Sequence, residues 1–105
     1  MSDAVFVLEP KNIIDSATGS QIRQEVGEKL KEGIEIILID LTHITFMDSS
    51  GLGAMVATLQ GVRAKGAELY LCSLNDQIKI LMDLTKMNNV FKILPDRSAF
   101  DKAIA

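Results

Sequence analysis

The run Ile34-Glu35-Ile36-Ile37-Leu38-Ile39-Asp40-Leu41 constrains the fold more than any other part of the chain. A strand with one wet face alternates apolar and polar residues. This run is rich in β-branched residues and apolar at almost every position, the pattern of a strand covered on both faces. It belongs at the centre of a sheet, with helices above and below. The chain around it supplies them. Residues 5–8 form a short apolar strand stopped by Glu9 and Pro10, and residues 11–18 form a connection. Ile22, Val26 and Leu30 then recur every four residues on an amphipathic helix that ends at Gly33. Thr18 and Gln21 have the spacing of a capping box at its start.

Beyond the central run, residues 42–47 read as a connection that leads into a second helix, on which Leu52, Met55, Val56, Leu59 and Val62 share a face. Lys65 and Gly66 end it. Residues 69–72 make another buried strand. Asn75 caps a helix carrying Ile78, Leu81, Met82 and Thr85, with Ile80, Leu84 and Met87 as extra apolar residues off its main stripe. Residues 90–94 read as a last strand, and Pro95-Asp96 opens a short helix through Phe100 and Ile104. The order β-α-β-α-β-α-β-α predicts an α/β fold: one domain over residues 1–105, with a largely parallel four-stranded sheet and about four helices.

Composition excludes several occupations. At 105 residues and 48% hydrophobic content, the chain can bury one core. It carries 11 Lys+Arg against 14 Asp+Glu, a net charge of −3, with no basic run to grip a phosphate backbone, so direct nucleic-acid binding is not expected. Aromatic residues are 5% and none is Trp, too few for a base-stacking platform. Cys72 is the only cysteine, which excludes an internal disulfide and a Cys-rich metal site and fits a reducing compartment. No basic leader precedes an apolar run, and no apolar stretch is long enough to span a bilayer, so a soluble, cytoplasmic protein without membrane attachment is expected.

The chemistry concentrates in Met47-Asp48-Ser49-Ser50-Gly51-Leu52-Gly53, where the second helix begins. In parallel α/β sheets, ligands and partners meet the loops at such strand ends. Asp and Ser are preferred N-cap residues, so capping is the plain reading. Gly51 and Gly53 call for more, because glycine in a helix costs about 1 kcal/mol relative to alanine. They suit a place where another backbone, a docking partner or a kinase active site approaches closely.

Three catalytic readings fail. A nucleophile elbow would need glycine where Met47 stands, and a general base, with His43 the only histidine. A phosphate-binding P-loop would need a Gly-Lys pair followed by Ser or Thr, and none exists. A receiver domain would need paired acids after the first strand and a lysine at a late strand end, where Glu9-Pro10 and Ser73-Leu74 stand. His43 reads as a loop histidine, and Asp48 alone makes no Mg²⁺ site, so no metal, cofactor or enzymatic activity is expected. Met47, Met55, Met82 and Met87 read as core fillers, the alternative being an adaptable contact surface near the motif.

Phe46-Met47-Asp48-Ser49-Ser50-Gly51-Leu52-Gly53, set between the central strand and an apolar helix, resembles the anti-sigma factor antagonists of the STAS domain family. The resemblance extends over nearly the whole chain, including Asp15 before the first helix and the helical region leading into Phe91-Lys92-Ile93. It implies a phosphorylation-switched binding module. In such a module Ser49 is phosphorylated by a partner that is both anti-sigma factor and ATP-dependent serine kinase, and a serine phosphatase reverses the mark. Asp48 is the matching acidic neighbour, and Met47, Ser50, Gly51, Leu52 and Gly53 complete the partner-binding segment. Members often begin with an extra strand, which here is expected to be shortened or absent because few residues precede Val5.

Elementary electrostatics describes what such a mark does. Phosphate adds about −1.5 to −2 charges and three acceptor oxygens. The helix N-terminus favours that anion, whereas Asp48, at about 5 to 6 Å, repels each phosphate charge by roughly 3 kcal/mol at an effective dielectric near 20. The two effects partly cancel at an exposed site, so modification is expected to spare the fold and disrupt a partner surface. The alternative is a module that is not phosphorylated and binds a nucleotide or small anion at the same helix start, in another signalling pathway.

Overall fold

The computed structural model describes residues 4–105. The central run forms β3 (Ile36–Asp40), flanked in a four-stranded parallel sheet by β1 (Val5–Leu8) on one side and β5 (Glu68–Cys72), then β6 (Lys92–Leu94), on the other. Register aligns Val7 with Leu38, Leu38 with Tyr70, and Cys72 with Leu94.

Period-two geometry divides this sheet between two cores. Phe6, Leu8, Ile37, Ile39, Leu69 and Leu71 face the larger core, together with α1 (Ser16–Lys31), α2 (Ser49–Ala64) and α3 (Asp76–Leu84). Val5, Val7, Ile36, Leu38, Tyr70 and Cys72 turn the other way, onto Phe100 and Ile104 at α4 (Arg97–Ala103). Both faces of β3 are covered, as its continuous apolar pattern requires. The cover is unequal, since α4 has seven residues and α1 and α2 have sixteen each.

The connections hold the main departures from expectation. Within 11–18, Asn12–Ile14 forms β2, and within 42–47, Ile44–Met47 forms β4; the two pair in parallel as a separate two-stranded sheet. The reason is accessible in the side chains. Ile14 and Met47 are fully buried, while Ile13 and Phe46, opposite each other in register, are 41% and 47% exposed. Helix α1 begins at Ser16, capped by Asp15 in a reciprocal box with Thr18, not at Thr18 with Gln21. The last strand starts at Lys92 rather than residue 90, after a 3-10 turn at Met87–Asn89. Met47, Met55 and Met82 are core residues, which removes them from any contact surface. The leading strand expected to be shortened or absent would fall on residues ahead of Val5, and residues 1–3 lie outside the described residues.

Candidate functional site

The motif sits where β4 runs into α2. Asp48 has extended backbone angles (φ −97°, ψ 177°), and its carboxylate accepts the Gly51 N–H at 2.7 Å, so the expected cap is formed. Its carbonyl accepts the Leu52 N–H at 2.9 Å, the first helical bond. Ser49 is the first residue of α2, and both it and Ser50 are exposed. An exposed hydroxyl at a helix start is open to a phosphoryl donor, and the unpaired N–H groups of the first turn favour the resulting anion. The Asp48 carboxylate, occupied by the cap, puts a negative charge beside it.

The two glycines have different surroundings. A Cβ at Gly51 would lie 2.0 Å from the Ile14 carbonyl oxygen, so the close approach there is internal, between α2 and the end of β2. At Gly53, exposed in the next turn, a Cβ would meet nothing within 4 Å. Of the seven residues singled out from the sequence, Ser49, Ser50 and Gly53 are exposed and Asp48 is half-buried. Met47 and Gly51 are buried, as is Leu52. Those three shape the site from beneath.

The segment is fastened from two sides. Toward β2, the Asp48 N–H donates to the Ile14 carbonyl at 3.2 Å. From the other side, the Met47 N–H donates to Gln77 Oε1 at 2.9 Å, and Gln77 Nε2 donates back to the Met47 carbonyl at 2.8 Å. Asn75, expected only as the cap of α3, accepts the Ile78 N–H at 2.9 Å and also donates to the carbonyls of Ile44 (3.1 Å) and Thr45 (3.3 Å). Sequence reading missed Gln77 because its partner lies thirty residues upstream and no local spacing signals such a bond.

His43 lies exposed in the turn before β4, where its carbonyl accepts the Asn12 N–H at 3.0 Å. Among the described residues no group of three or more His, Cys, Asp or Glu side chains is placed to hold a metal ion, and no helix is long and apolar enough to cross a membrane.

The STAS domain family model matches residues 2–99. The anti-sigma F factor antagonist of Paenibacillus polymyxa is 30% identical over 92 residues, covering 87% of this chain and 76% of its own. A Thermotoga maritima crystal structure superposes with a TM-score of 0.87 at 24% identity, covering 96% of this chain and 87% of its own. The Bacillus cell fate determinant SpoIIAA, in its phosphorylated form, gives 0.71 at 18% identity, covering 95% and 91% of the two chains.

Proposed function

This chain belongs to the STAS domain family, and from that premise we propose that it is an anti-sigma factor antagonist whose partner binding is switched at Ser49. Unphosphorylated, it binds an anti-sigma factor that is also an ATP-dependent serine kinase; phosphorylation of Ser49 releases it, and a serine phosphatase restores it. The observation that carries this reading is the exposure of Ser49 on the first turn of α2, beside a carboxylate already committed as the cap. The Paenibacillus relative, an anti-sigma F factor antagonist, supports the role of antagonist, and the phosphorylated form of SpoIIAA supports the chemistry. The docking face consists of Asp48, Ser49, Ser50 and Gly53, underlain by Met47, Gly51 and Leu52. Phe46 and Ile13 contribute exposed apolar area on the adjoining strands.

Anion binding without phosphorylation is the weaker reading of the same helix start. Asp48 already places a negative oxygen on the Gly51 N–H, and a second anion competes with it. The two readings separate in one experiment. Incubation with the purified kinase and ATP, followed by intact-mass measurement, is expected to add one phosphoryl group to the wild type and none to Ser49→Ala. Phosphate retained in Ser49→Ala moves the site elsewhere.

A further inference from the structure

Gln77 is the only residue of α3 whose side chain bonds both polar groups of a single strand residue, and that residue, Met47, immediately precedes the cap of α2. Among the described residues β4 has a strand neighbour on one side only, β2. On the other side, the Gln77 carboxamide takes the two bonds that a further strand would make. We propose that Gln77 is the positioning residue of the Ser49 site: its carboxamide locks the end of β4, and through it the height and direction at which Ser49 is presented. This rests on the reading of Ser49 as the modified hydroxyl.

Three observations carry it. First, at residues 47–51 the remaining backbone fastenings come from the β2 side, namely the Asp48 N–H on Ile14 and the tight seat of Gly51 on the same carbonyl, while Asn75 holds β4 only farther back, at Ile44 and Thr45. Without Gln77 the last residue of β4 keeps its hydrogen bonds on the β2 side alone. Second, the carboxamide is preorganised. Gln77 lies in the first turn of α3, between Asn75, tied to Ile44 and Thr45, and Ile78, which is fully buried. Third, the bonding pattern is chemically selective. It needs one acceptor and one donor in a planar fork, which an amide supplies; a carboxylate supplies two acceptors and faces the Met47 carbonyl with like polarity. A protonated carboxylic acid, however, again offers one of each. Placement matters in group transfer because an error near 1 Å in a reacting group can cost about a hundredfold in rate.

The test compares wild type, Gln77→Met and Gln77→Glu by amide NMR at neutral and acid pH, and by steady-state phosphorylation with the serine kinase and ATP. Gln77→Met is expected to speed exchange of the Met47 N–H about tenfold and to shift the Ser49 and Ser50 amide signals, with the amides of β3 and β5 unchanged. Gln77→Glu is expected to resemble Gln77→Met at pH 7 and to return toward wild type, measured at the same pH, once its carboxyl is protonated. A merely structural role loosens the core amides alike and shows no such titration. With the kinase, kcat/KM is expected to fall about tenfold through kcat, with KM little changed. The proposal is overturned if the Ser49 and Ser50 signals of Gln77→Met coincide with wild type, or if kcat is unaffected. Should the wild type take up no phosphate at all, the phosphorylation reading fails, and the amide spectra alone decide whether Gln77 holds the segment.

Discussion

Gly51 and Gly53 are two residues apart in α2 and sit in opposite surroundings. At Gly51 any side chain would run into the Ile14 carbonyl, so Gly51→Ala must push β2 and α2 apart. Overpacking of that kind costs about 2–3 kcal/mol. Gly53 has open space around it, and Gly53→Ala removes a flexible residue from a helix interior, which stabilises by about 0.5–1 kcal/mol. Urea denaturation should therefore move the two midpoints in opposite directions; shifts of the same sign would contradict this geometry. The sequence shows that both glycines are locally unfavourable. It does not show what approaches each, because Ile14 is far along the chain from Gly51 and lies on a strand with no clear apolar alternation.

That strand illustrates which elements are legible from sequence and which are not. β3 announces itself as an unbroken apolar run, α1 and α2 through many apolar residues at helical spacing, and the family motif stands out because Asp, Ser and Gly combine at a helix start. β2 and β4 are three and four residues long, and each shows an apolar residue to solvent, Ile13 or Phe46, so neither alternates cleanly. The polar part of the attachment of α4, beside the apolar one at Phe100 and Ile104, was equally invisible. It depends on Asp40, buried at the end of β3, which accepts the Thr42 N–H (3.0 Å) and hydroxyl (2.6 Å) and faces Arg97 of α4 at 3.5 Å. Arg97 also meets Glu9 at 3.0 Å, after β1. Burial pushes the Asp40 carboxyl up, but the Thr42 bonds and Arg97 outweigh it and hold the carboxyl below its ordinary value of 3.8. A depressed carboxyl stabilises the fold above its unfolded value, and this contribution is lost as the pH falls through 3.8 toward the lower folded value. Denaturation at pH 7 and pH 3 should show the wild type losing more stability on acidification than Asp40→Asn. Equal losses would remove Asp40 from the account.

The molecule carries a net charge of −3, and a phosphate on Ser49 takes it to about −5. Ser49 is exposed and its carboxylate neighbour is fixed as a cap, so most of the added charge is screened in the free protein. The melting temperature of the phosphorylated chain is expected to stay within about 5 °C of the unmodified one, a difference below about 1 kcal/mol. At the proposed docked interface the same charge would be desolvated, and calorimetry with the proposed anti-sigma kinase partner is expected to show affinity reduced about a hundredfold or more, near 3 kcal/mol. A large loss of thermal stability with affinity intact would reverse this assignment of where the charge acts.

The unequal cover of the sheet gives its two sides different lifetimes. On the side of α1, α2 and α3, exposing the core beneath α1 and α2 requires a pair of sixteen-residue helices to separate, an event close to global unfolding. On the other, a seven-residue helix anchored by the Phe100 ring and the Arg97 guanidinium has far less to separate, and its release bares Leu38 and the Cys72 thiol while the side that carries Ser49 stays folded. Limited proteolysis and thiol labelling are therefore expected to reach the α4 side of the sheet before the side that carries Ser49 opens.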